Sequence, residues 1–187
     1  MKTKHTLLAI LLMPAFLLAQ TWTNDPAHSR MGFEVSHMAI SDVSGIFKTF
    51  EVAITSEDDD FSNAQVTVTV DLNSIDTEVE PRDNHLKSPD FFEVENFPKM
   101  TFNSTTITHV DKNVYLLTGD LSLHGITKPY RFVMTHNGTI TNNDKQIAGF
   151  KVEGDLLRSD FNIGGKFPIG VIGDQIQVEI NLEMIKQ

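Results

Sequence analysis

Gln175-Ile176-Gln177-Val178-Glu179-Ile180-Asn181-Leu182-Glu183-Met184 is the stretch whose reading decides the fold. Apolar side chains hold every even position and polar ones every odd position. Successive side chains of a strand point to opposite faces, so a period of two gives one dry face and one wet face. Antiparallel strands laid against a core read this way, whereas strands buried on both faces read as unbroken apolar runs.

Outward from this stretch the same period recurs along the chain. Val66, Val68, Val70 and Leu72 alternate with Gln65, Thr67, Thr69 and Asp71. Met31, Phe33 and Val35 share a parity, as do Phe50, Val52 and Ile54, and then Leu117, Leu121 and Leu123. Tyr130, Phe132 and Met134 follow, then Ala148, Phe150, Val152 and Leu156. Turn formers stand between the runs: three aspartates within residues 56–62, the hairpin dipeptide Asn137-Gly138, Asn142-Asn143-Asp144, and Gly164-Gly165. The fold class is all-β, and many strands with hairpin joints suggest an up-and-down barrel or a sandwich. A closed barrel of about eight strands has an interior either filled by side chains or roomy enough for one small ligand. Alternation does not choose between the two.

One segment breaks the pattern. Residues 77–92 lack period two, are rich in charge and contain Pro81 and Pro89, which reads as a loop with a short helix over residues 82–87. Arg82, Asp83 and His85 fall within one helical turn there, and Phe91-Phe92 follow. The plain reading is an Arg–Asp staple with two phenylalanines plugging a barrel end. The functional reading is a lid over a pocket mouth, with polar groups to orient a headgroup.

Ahead of the strands, Lys2 and Lys4 precede an apolar run over residues 7–19 broken only by Pro14. Its length and basic head are those of a secretory signal peptide rather than of a membrane-spanning helix. The expected division is a signal peptide over residues 1–20, cut near residues 19–21, and one domain over residues 21–187. No later stretch is long and apolar enough to span a bilayer, so stable membrane insertion is not expected. The expected location is a periplasm, or the outside of the cell where the host has none.

The chain has no cysteine, which removes disulfides, thiolate chemistry and a lipid anchor on cysteine. Loss of Lys2 and Lys4 leaves 13 basic against 25 acidic side chains, a net charge of −12. Such a domain repels phosphate backbones and anionic headgroups, which argues against nucleic-acid partners. Six histidines follow the leader at no familiar ligand spacing, so no metal cluster is expected of His28, His37, His85 and His124. G-x-S-x-G, a phosphate-binding glycine loop and the EF-hand spacing are absent from the sequence, and no cofactor is called for.

Three blocks carry a resemblance. Asn24-Asp25-Pro26-Ala27-His28-Ser29, Phe33-Glu34-Val35-Ser36-His37-Met38 and Gly45-Ile46-Phe47 resemble the opening of the YceI-like family. Residues 82–94 (RDNHLKSPDFFEV), with Phe97-Pro98-Lys99-Met100-Thr101-Phe102, are similar to its central motif. Residues 119–128 (GDLSLHGITK) resemble its next block. The match departs at Asn162, where the family pattern leads one to expect glycine, and in the loop over residues 164–173.

The resemblance implies an extended, eight-stranded, antiparallel lipocalin-like barrel with a short helical insertion. It also implies a non-enzymatic role, holding a polyisoprenoid or isoprenoid-quinone-type lipid inside the barrel as carrier or store. An acidic chain favours a neutral quinone or alcohol head over a pyrophosphate. The residues expected to meet that ligand are Phe33, Val35, His37, Phe47, Val68, Val70, Leu72, Arg82, Asp83, His85, Phe91, Phe92, Phe102, Leu121, Phe132 and Phe150. Two other readings compete: an enzyme acting on such a lipid through Arg82, Asp83 and His85, and a stress-related scaffold whose barrel is filled. The oligomeric state, a homodimer included, stays open.

Overall fold

The computed structural model describes residues 19–58 and 60–187. The expected signal peptide thus lies, but for its last two residues, outside the described residues. Among the described residues there are eleven strands: β1 (Gln20–Asn24), β2 (Arg30–His37), β3 (Ser41–Phe47), β4 (Phe50–Ser56), β5 (Gln65–Asp71), β6 (Ile75–Asp76), β7 (Lys99–Asp111), β8 (Val114–Leu123), β9 (Ile126–Asn142), β10 (Lys145–Leu157) and β11 (Ile172–Lys186). Helix α1 (Glu80–Lys87) stands between β6 and β7.

Eight strands close a ring of antiparallel pairs in the order β1-β4-β5-β7-β8-β9-β10-β11 and back to β1. Strand β11 reaches two partners along one edge. Its C-terminal end pairs with β1 through Met184, Ile185 and Lys186, and its N-terminal part pairs with β2 from Ile172 to Asn181. The branch β2-β3-β6 therefore extends the wall at one end of the barrel.

Parity decides what faces inward. In β11 Leu182 and Met184 are buried, Ile176, Val178 and Ile180 are half-buried, and Gln175, Gln177, Glu179 and Asn181 are exposed. In β5 Val66 and Val70 are buried and Val68 half-buried, while Gln65 and Thr67 face water. Leu72 is buried but opens a 3-10 turn (Leu72–Ser74) rather than ending the strand.

Two turn readings change places. Asn137-Gly138 lies inside β9, at a bulge where Gly149 pairs with Gly138 but Phe150 pairs with His136. The β9–β10 reversal is made instead by Asn143 and Asp144, at φ of 48° and 62°, between the paired residues Asn142 and Lys145. Two consecutive left-handed residues fit the twist of the flanking strands, and Asn and Asp tolerate that conformation best after glycine.

The barrel end beside β1 is sealed. Trp22, Phe61, Phe150 and Met184 are each at most 1% exposed. Phe61 meets Trp22 and Phe150 edge-to-face, at centroid distances of 5.5 and 5.0 Å. The opposite end carries α1, the segments on either side of it, and residues 158–171.

Candidate functional site

Between the sealed end and α1 lies an interior cavity of about 160 Å³. Its wall is almost wholly hydrocarbon. Strands contribute Phe33, Val35, Phe47, Val68, Phe102, Leu121, Phe132, Ile176, Val178 and Ile180, among others, and the α1 end contributes Leu86, Phe91 and Phe92. Among the described residues, Arg158 is the one charged side chain in the wall. The inward positions of several strands are only partly buried, because they face this space rather than packing atom against atom. A concave, apolar pocket of this kind suits a long hydrocarbon.

Nine of the residues expected to meet a ligand line the cavity: Phe33, Val35, Phe47, Val68, Phe91, Phe92, Phe102, Leu121 and Phe132. Seven do not. Val70 and Leu72 are fully buried and serve as packing below the wall, and Phe150 belongs to the sealed aromatic end. His37 ends β2 and pairs with Ser41 and Ile172.

Arg82, Asp83 and His85 are also absent from the cavity lining. The Thr77 N–H and hydroxyl both donate to the Asp83 carboxylate, at 2.9 and 2.5 Å. Arg82 donates to the Thr77 hydroxyl and carbonyl, at 2.7 and 2.6 Å. These bonds fasten the start of α1 to Thr77, the residue that follows β6. His85 is exposed; its ring lies edge-on to Phe91 and faces Asp90 at 3.4 Å.

The cover itself is aromatic. Phe91 is 6% exposed, stacks on Phe167 with centroids 5.1 Å apart, and lies over Gly164, where a Cβ would come within 2.9 Å of its ring. Phe92 meets Phe47 at 6.2 Å. Lys166 pairs with Asp90. The segment after α1 and the loop before β11 thus close on each other across the barrel end.

Arg158, to which the sequence reading assigns no role, organises that loop. It is 6% exposed, and its guanidinium donates to the carbonyls of Gly173, Ile163, Gly164, Phe167 and Ile172 at 2.8 to 3.0 Å. Five N–H donors meet five carbonyls, so the fork is fully used. A lone arginine at the end of an apolar run gives no sign of this, because its partners are backbone atoms of a loop with no period. Asn162, where the family pattern differs, caps the 3-10 turn (Arg158–Phe161) at φ 56°. Asparagine is the commonest substitute for glycine in that conformation, so the turn survives the exchange.

Carboxylates fasten the same end. Asp160 accepts from Lys128 at 2.5 Å and from the Tyr130 hydroxyl at 2.6 Å. Those bonds, Lys128 first, hold the Asp160 carboxyl below its ordinary range. Burial, and then the hydrogen bond to Asp160, push the Tyr130 phenol up to about 12. Asp90 is lowered by Lys166 and then His85, and Asp76 by Lys48 and then the Glu78 N–H. A carboxyl depressed in the folded state stabilises above its unfolded value of about 3.9, and that contribution is lost as pH falls through the folded value. The contribution of these carboxylates to stability should therefore hold from about pH 7 to pH 5 and fall below about pH 4. Amide exchange at pH 3 should quicken first in residues 88–98 and 158–171, and a uniform response would contradict this assignment.

Among the described residues, Asp25, His28 and Glu183 bring three possible ligand atoms within 4.8 Å of one another. The group is largely exposed, and the His28 ring already bonds Asp25 at 2.9 Å. His124 bonds the Phe161 carbonyl at 2.8 Å and faces Glu93 at 3.5 Å, pinning the β8–β9 turn to the barrel end.

A model of the YceI-like domain matches residues 22–184. The UPF0312 protein SA2479 of Staphylococcus aureus (strain N315) is 38% identical over 144 residues, 76% of this chain and 81% of that one. The crystal structure of the Campylobacter jejuni YCEI protein superimposes with a TM-score of 0.72 at 32% identity, covering 79% of this chain and 87% of that one. A polyisoprenoid binding domain from Saccharophagus degradans has the same fold, with a TM-score of 0.66 at 15% identity over 89% of this chain and 98% of that domain.

Proposed function

This chain belongs to the YceI-like domain family, and from that premise we propose that it holds the hydrocarbon chain of an isoprenoid lipid inside its barrel. The observation that carries the reading is the cavity: hydrocarbon-walled, sealed at one end, and covered at the other by two phenylalanines. Transfer of a long apolar chain into such a space is favoured by about 25 cal/mol per Å² of surface removed from water, before association costs. The Saccharophagus degradans domain, described as polyisoprenoid binding, gives the chemical class.

The role is that of a carrier or store rather than an enzyme. Arg82, Asp83 and His85, the polar apparatus an enzyme on this lipid would draw on, stand outside the cavity wall and are engaged with Thr77 and Asp90. Export to a periplasm is part of the same proposal and rests on the basic head and apolar run of residues 1–20. The ligand's head is expected to be neutral, a quinone or alcohol, since every donor of Arg158 is spent on carbonyls and the chain is acidic.

Solvent extraction of protein purified without detergent, followed by mass spectrometry, tests the reading. The expected result is one isoprenoid lipid in near-stoichiometric amount. Failure to recover such a lipid, together with failure of the emptied protein to take up a labelled polyprenol, would contradict it.

A further inference from the structure

We propose that the covered end of the barrel carries an apolar lip that docks on the surface of a lipid bilayer while cargo passes; this rests on the lipid-holding reading above. The lip consists of two turn tips. One is the β2–β3 turn, residues 38–40, in which Met38 and Ile40 are 52% and 86% exposed. The other is the turn over residues 168–171, in which Ile169 is 67% exposed. The tips lie side by side, because the Met38 N–H donates to the Val171 carbonyl at 2.9 Å and Ile172 pairs with His37.

The β2–β3 tip breaks a local rule. Met38 and Ala39 take φ of 54° and 57°, a left-handed conformation that turns usually give to Gly, Asn or Asp. A bulky apolar residue held there, in water, is strained and poorly solvated at once. Positions where a sequence departs from both turn chemistry and surface polarity are where a function is sought first.

Charge points to the partner. The chain has 25 carboxylates, yet residues 35–41 (VSHMAIS) and 161–173 (FNIGGKFPIGVIG) contain none. The only formal charge in the two segments is Lys166, on the stretch that faces α1. Turn tips free of carboxylates, with projecting Met and Ile side chains, complement the headgroup–acyl boundary of a bilayer. Position agrees: both tips continue the strands that present Val35 and Ile172 to the cavity, and the other end is sealed by Trp22, Phe61 and Phe150. A lipid that must leave a bilayer without crossing water would enter between them.

The test uses the full chain and the triple variant Met38→Ser, Ile40→Ser, Ile169→Ser; none of the three residues lines the cavity. Two measurements are made: flotation of emptied protein with phosphatidylcholine vesicles, and transfer of a labelled polyprenol from such vesicles to protein. The parent chain should float weakly with little effect of salt, and the variant should lose flotation and transfer the polyprenol about tenfold more slowly. Its capacity for polyprenol added directly from solvent should be unchanged. Equal flotation and transfer by the two proteins would overturn the lip. So would tip-dependent dimerisation in solution without vesicle binding, which would make a second copy the occupant. Tip-dependent flotation by a protein that takes up no polyprenol by any route would keep the lip and refute the lipid-holding reading instead.

Discussion

Replacing Arg158 by methionine should lower unfolding stability by about 3–5 kcal/mol, more than any other single substitution in the barrel end. Methionine fills similar space without a donor, so the change isolates the hydrogen bonds. It strips five carbonyls, those of Ile163, Gly164, Phe167, Ile172 and Gly173, of their partner at once. A buried carbonyl left unpaired costs about 1–3 kcal/mol, so the loop would open to water before the sum of five such costs was reached. That opening sets the ceiling on the effect and gives it a location. Arg158→Lys should recover little of it, since an ammonium offers three donors from one point and not five in a planar fork. Urea titration gives the magnitude, and amide exchange over residues 162–173 gives the place. A loss under about 1 kcal/mol, or exchange unchanged in that loop, would mean that its own backbone turns hold it.

Filling the cavity should have the largest effect on ligand content, with the opposite sign for stability. Val68 and Val178 stand on different walls, β5 and β11, and both are half-buried because they face the empty space. The pair Val68→Phe and Val178→Phe puts two rings into a cavity of about 160 Å³. Retained isoprenoid should fall at least tenfold, the equivalent of about 1.4 kcal/mol. The melting temperature of the emptied protein should hold or rise, because new apolar contacts replace a void. Phe91→Ala with Phe92→Ala is less discriminating. Phe91 is stacked on Phe167 and only 6% exposed, so its loss removes core and cover together. A filled variant that kept its lipid would place the ligand elsewhere on the molecule.

The sequence made the wall of the barrel legible and left its ends obscure, for a physical reason. Ile176, Val178 and Ile180 announce themselves because one side of β11 must be dry and the other wet. Strands β1, β3 and β7 show no such run: β1 has five residues, β3 (SDVSGIF) belongs to the branch extending past the ring, and β7 has exposed residues on both parities. The ends obey side chain–backbone bonds instead. Arg82 and Asp83 look like site residues in the sequence because charge clusters there, yet their partner is Thr77, five and six positions away. Arg158 looks ordinary, yet it holds the loop closing the cavity. Asn137-Gly138 has the composition of a hairpin turn, but register across β9 and β10 places the reversal at Asn143-Asp144 and spends the dipeptide on a bulge. Pairing register is a property of two strands, and a dipeptide reports on only one of them.

The central claim is that an isoprenoid chain lies inside the barrel, and isotope-filtered NOEs between a bound, unlabelled polyprenol and the protein's labelled methyl groups test it most directly. The account predicts contacts from the isoprenoid methyls to Val68, Leu121, Val178 and Ile180, which line the cavity, and none to the outward-facing Val133 or to Ile140, which are 43% and 63% exposed. Contacts confined to outward methyls, with the four interior residues silent at saturation, would contradict it.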